Sequence, residues 1–249
     1  MNDASCEATG LQSFTRPRYF YGQLLDVRHF ESEQEYFKRK LRLLNRTVSG
    51  YGVVCGLDVQ VGGDDKSVIV KPGLALDPSG REIVVPCDSK GVAIESRPAG
   101  DYTQGVPCDD EWVHLVVCYR EHRCDPEPVL AGGCDVDERC APGAIREGYE
   151  LKVVPGPAPE ISVDCQIPHL LKGNNVNYRA LAEWVSAPCD EPSDGCVTLA
   201  NIHLPVAGKS VELSDIDISV RPIVFGLDLL WELVLALTHD PNNRRTGKS

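Results

Sequence analysis

The chain has 249 residues, enough to bury a substantial core in one large domain or two moderate ones, and it carries a net charge of −12. That acidity argues against a nucleic-acid surface, because neutralising phosphates needs clustered Lys and Arg, which occur here only along one helix and in a short tail at Arg244, Arg245 and Lys248. No run approaches the eighteen or so apolar residues of a membrane-spanning helix, and the opening MNDASCEATG is polar and unlike a signal peptide, so cytoplasmic assembly with no membrane span is expected.

Residues 1–15 lack periodicity and read as a flexible arm. An aromatic lead-in follows at Tyr19, Phe20 and Tyr21. Three consecutive aromatics cannot all face one core, so at least one is expected to be exposed or to pack on a neighbour; a staple across the start of the next helix is the plainer alternative. That helix is predicted up to residue 50. Phe30, Phe37, Leu41, Leu44 and Val48 recur at three- and four-residue steps, broken only by Gln34, so one stripe faces a partner, either the chain's own core or another subunit. Asp26 is the expected N-cap. Glu31, Glu33 and Glu35 fill the first half and Lys38, Arg39, Lys40, Arg42 and Arg46 the second, which suits the helix dipole and pairs Glu35 with Arg39. Gly50 and Gly52 end it.

Residues 51–220 are expected to form a β-rich body. Short runs of β-branched residues punctuated by Gly62-Gly63, Pro72-Gly73 and Pro78-Ser79-Gly80 read as short antiparallel strands. EWVHLVVCYREH reads as a central strand, with Trp112, His114, Val116, Cys118 and Arg120 on one face and Val113, Leu115, Val117 and Tyr119 on the other. The hydrophobic pattern then dissolves into a cysteine-rich excursion within 118–145 before GYELKVV resumes as a strand. A short helix capped by Asn177 is expected around Tyr178 to Val185, CVTLANIHLPV is a further strand, and KSVELSDIDISV supplies an edge. Residues 221–238 are apolar on nearly every face and read as a C-terminal helix that something must bury; 239–249 is a polar tail. The predicted class is α+β: a mostly antiparallel β-sheet body with a long N-terminal helix and an apolar C-terminal helix.

Eleven cysteines admit zinc, disulfides or unrelated thiols. A zinc site would draw on Cys124, Cys134 and Cys140 with Cys189 or Cys196, because four thiolates would supply the ordering energy that the excursion lacks. No CxxC supports it. Cys118 is accounted for by the packing of its strand, and Cys55 and Cys87 read as small core hydrophobes. Asp77, Glu82 and Asp88 surround a turn without making an acid/base pair, and His114 and His203 read as structural histidines. No GxSxG, HExxH, phosphate loop or dinucleotide fingerprint is present, so nothing demands an enzyme.

RPRYFYGQLLDVRHFESEQEYF and NRTVSGYGVVCGLDV together resemble a family of bacterial proteins that accompanies phage-tail-like contractile injection systems. VKPGLALDPSGREIVV is similar to the PG-A-D-x-G-x-x-I pattern of tail-fibre and baseplate components. The likeness covers about residues 16–90 and is looser through YREHRCDPEPV, IREGYEL and the Cys189 to Leu204 segment. It implies a non-enzymatic structural component, a turn-rich β module near fibre or spike, whose partners are other particle subunits and copies of itself as a trimer or hexamer. The expected interface residues are Tyr19, Phe20, Tyr21, Phe30, Phe37, Leu41, Leu44, Leu230 and Trp231. Two other classes compete: a zinc-dependent enzyme or redox protein built on the cysteines, and a carbohydrate-binding tail-fibre module stacking sugars on Trp112, Trp184 or a tyrosine.

Overall fold

Turn chemistry at two crossings folds the first half of the body. The computed structural model describes residues 13–64, 66–94, 111–129, 140–161, 165–173, 175–189, 193, 195–205 and 209–239. Strands β1 (Gly52–Gly56), β4 (Gly73–Leu76) and β5 (Glu82–Val85) form one antiparallel sheet in the order β1-β4-β5. Strands β2 (Val59–Val61), β3 (Ser67–Val70) and β6 (Val92–Ala93) form a second, ordered β2-β3-β6. The chain changes sheet at Leu57, which is fully buried at φ 55°, and again at Pro72-Gly73. The two crossings clasp each other: Leu57 N donates to Pro72 O at 3.2 Å and Lys71 N to Asp58 O at 2.8 Å. A Cβ on Gly73 would overlap the Cys55 carbonyl and the Leu57 amide, so only glycine fits there.

A third sheet closes the core. Its order is β12 (Ile216–Asp217), β11 (Val197–His203), β7 (Trp112–Pro128), β8 (Cys140–Pro155), all antiparallel. The alternation of the central strand holds: Leu115, Val117 and Tyr119 join Val53, Leu57, Val68, Ile83, Leu199 and Ile202 in one apolar cluster shared by all three sheets. Val116 and Cys118 on the opposite face are buried as well. Burying each Leu, Ile or Val contributes on the order of 1.5–3 kcal/mol, so this cluster dominates the stability of the body. A small hairpin of β9 (Leu171–Lys172) and β10 (Asn175–Val176) precedes α2 (Tyr178–Val185), whose N-cap Asn177 accepts from Ala180 N as the sequence predicts. The mixed α+β class with mostly antiparallel sheet is therefore observed, and no described helix is long and apolar enough to cross a membrane.

Three expectations are corrected. The excursion within 118–145 is a ribbon, because β7 and β8 stay in register from Arg120↔Gly148 out to Pro128↔Cys140. A two-stranded ladder satisfies backbone N–H and C=O without any hydrophobic period, which is why pattern reading missed it. Residues 130–139, Cys134 among them, lie outside the described residues. Next, Cys55 and Cys87 are exposed and not core. The register of β1 slips between Val53 and Cys55, so Val53 points inward and Cys55 out. Finally, the C-terminal helix α3 is Leu227–His239 and does not start at 221. Pro222 to Val224 are held extended instead, with Val53 N donating to Pro222 O at 2.8 Å and Val224 N to Val53 O at 3.0 Å. The arm proposed for 1–15 is described only from Ser13 onward, and most of the tail lies outside the described residues.

Candidate interaction surface

Asp26 caps α1 (Val27–Leu44), which is followed by a π-helical turn, Asn45–Ser49, and stopped by Gly50 at φ 76°. Arg28 Nη2 lies 2.6 Å and His29 Nδ1 2.8 Å from the Asp26 carboxylate, and these contacts, that of Arg28 foremost, lower its pKa to about 2. Glu35 and Arg39 pair at 2.6 Å as predicted.

The helix is seated on the body at its C-terminal end. Asn45 Nδ2 donates to Gly80 O at 2.9 Å and to Glu82 Oε1 at 2.8 Å, and Gly80 packs so closely on the Arg42 backbone that a Cβ would clash. Lys38 and Arg42 each lie 4.0 Å from Glu121 on β7. The Gly80 turn is itself pinned by Asp77, a fully buried carboxylate that accepts from Ser79 N and Arg81 N at 2.9 Å each and from Arg81 Nε at 2.6 Å. Asp77 is thus a structural anchor, and Glu82 holds the helix.

With the contacts on that side, the apolar stripe faces outward. Phe37 is 62% exposed, and Phe30, Leu41, Leu44 and Val48 are all more than half exposed. The lead-in adds Phe20 and a fully exposed Tyr21; Tyr19, also exposed, donates its hydroxyl to Glu33 at 3.0 Å, and desolvation together with that carboxylate raises its pKa. Of the three aromatics, Phe20 and Tyr21 face solvent, while Tyr19 reaches across the start of the helix to Glu33. A second apolar surface stands on α3, where Leu227, Leu229, Leu230, Trp231, Leu233, Val234 and Leu237 are exposed, Trp231 to 61%. At about 200 Å² per large residue, the five stripe residues expose on the order of 600 Å² and the seven on α3 on the order of 800 Å². A typical monomer's largest apolar patch is roughly 300–600 Å², so the stripe lies at the top of that range and the α3 surface above it.

The described cysteines do not gather at one site. Cys118 of β7 and Cys196, the residue just before β11, form a disulfide, which removes Cys196 from the thiolates expected to bind zinc and gives Cys118 a role that its strand packing had not suggested. Cys124 and Cys140 both lie on the ribbon, but Cys124 is opposite Ala144 and Cys140 opposite Pro128, four ladder steps apart, or roughly 13 Å. Cys189 lies at the far end of α2. Among the described residues no group of three or more His, Cys, Asp or Glu is placed to hold an ion. The disulfide was hidden in the sequence because its cysteines are 78 residues apart and nothing local says that their strands are neighbours.

Of the aromatic platforms, Trp112 is occupied edge-on by the His203 ring at 4.9 Å. Trp184, half exposed, lines an open cleft of about 640 Å³ with Tyr51, Arg46 and Pro78. His114 is structural, its Nδ1 lying 2.9 Å from Gly156 O. The sequence matches no family model, and a search of curated proteins finds no match either.

Proposed function

We propose that this chain is a structural, non-enzymatic subunit of a phage-tail-like contractile injection system, built into the particle through its N-terminal arm and α1. The observation that carries this reading is the apolar stripe of α1, directed away from the body and more than half exposed among the described residues, with Phe37 touching only the neighbouring Tyr36 ring in an aromatic contact. A helix kept only to fill a core would turn that stripe inward. The resemblance of the same residues to proteins accompanying such particles supplies the setting. Its partners are then other particle subunits and copies of itself, with assembly in the cytoplasm and release within the particle.

The test is incorporation. In cells producing the particle, a tagged chain co-sediments with sheath and tube, and Leu41→Asp abolishes this while the circular dichroism spectrum is retained. A chain that never enters the particle, or a Leu41→Asp chain that enters normally, refutes the reading. The Trp184 and Tyr51 cleft favours a second reading, a glycan-binding fibre module. It requires glycan-array binding that Trp184→Ala removes.

A further inference from the structure

The charges flanking the α1 stripe specify what covers it. Val27, Gln34 and Leu41 occupy one heptad position of the stripe, and Phe30, Phe37 and Leu44 the other. The flanking positions are then Glu33 and Lys40 on one side and Glu31 and Lys38 on the other. Against a second copy running parallel, Glu33 meets Lys38, which is attractive, but Asp26 meets Glu31, which is repulsive. Against an antiparallel copy the arithmetic differs. Setting Phe30 opposite Leu41 and Val27 opposite Leu44 brings Glu33 to Lys40 and Glu31 to Lys38, each twice by symmetry, with no like charges facing. Sliding by one heptad in either direction destroys this: one shift opposes Lys38 to Lys38 and Lys40 to Lys40, the other Glu31 to Glu31 and Glu33 to Glu33.

We propose that α1 pairs with α1 of a second copy as an antiparallel two-fold coil in this register. The inference rests on the reading of α1 as the docking element. Gln34, the one polar break in the stripe, fits the arrangement, because the two-fold axis passes near Tyr36 and brings Gln34 and its symmetry mate within about 5 Å along the axis, where the two amides bond each other. The body's contacts with the helix run through Lys38, Arg42 and Asn45, beside the stripe and not on it; Lys38, 4.0 Å from Glu121 in the single chain, turns to the partner's Glu31 in the pair. Antiparallel packing also carries the partner's exposed Phe20, Tyr21 and Leu24 toward Val48 and Tyr51, both exposed at the root of the helix. Roughly 600 Å² per chain is near the lower limit for a specific interface, so the lead-in contributes necessary area and the dimer is of modest affinity. The pair replaces the trimer as the unit of self-association, and three pairs supply six copies around a particle axis. α3 is left for other subunits.

Sedimentation velocity over a concentration series tests this. The expected result is a monomer–dimer equilibrium. Glu33→Lys and Lys40→Glu each raise its dissociation constant about tenfold, and the combined Glu33→Lys/Lys40→Glu chain returns to near the wild-type value. In a parallel pair the combined variant would instead oppose like charges across positions 33 and 38 and bind as weakly as Glu33→Lys alone. That outcome, a trimer, or a monomer at all concentrations overturns the proposal. Circular dichroism checks that each variant is folded. A monomer whose entry into particles still depends on Leu41 refutes the pairing and leaves the proposed function standing; a dimer that never enters particles does the reverse.

Discussion

Asp77→Ala should unseat α1 by destroying the turn beneath it. The Asp77 carboxylate is fully buried and accepts from two backbone amides at 2.9 Å and from Arg81 Nε at 2.6 Å. Arg81 also stacks over the Tyr119 ring, 5.0 Å from its centroid, so the turn is tied to the core. Removing one partner of a buried ion pair costs about 3–5 kcal/mol, and two amides losing a charged acceptor fall within that figure. For a chain of this length that is a drop in Tm of roughly 10 °C. Asp77→Asn separates the contributions, since its amide oxygen can still accept from Ser79 N and Arg81 N while the charge facing Arg81 is gone; about half the loss is expected. Urea unfolding at fixed protein concentration measures both, and hydrogen exchange at Leu43 to Arg46 should quicken, because Asn45 is tethered to Gly80 O. A cost below about 1 kcal/mol for Asp77→Ala would show that the turn is not the seat of the helix.

The disulfide closes a separation of 78 residues, so its reduction should remove about 4 kcal/mol of stability, read from urea midpoints with and without reductant; unchanged midpoints would count against a Cys118–Cys196 link. Cys55 and Cys87 should react promptly with a thiol reagent in the native protein, whereas Cys118 should become alkylable only after reduction; protection of Cys55 would contradict its place on the outward face of β1. Asp26, with a folded pKa lowered from 3.8 to about 2, stabilises the start of α1 fully above the ordinary carboxylate range. That contribution should disappear as pH falls through this interval, with fraying of the first turn visible by NMR, and an Asp26 carboxyl titrating at its ordinary value would refute the contact with Arg28.

The local elements were legible in the sequence because short-range chemistry dictates them. The α1 stripe, its Asp26 cap, the Asn177 cap of α2, the β11 strand and the in-out alternation of Leu115, Val117 and Tyr119 all follow from spacing within a few residues. The stripe was equally readable as facing the chain's own core or another subunit, and only the tertiary structure shows that it stays out of the core, because that depends on which side of the helix Gly80 and Glu121 touch. The ribbon was illegible because its order comes from cross-strand hydrogen bonds and not from hydrophobic period. The same holds for Cys118 and Cys196: composition said that cysteines were plentiful, but pairing needs two strands brought side by side across 78 residues, and that proximity exists only in the folded chain.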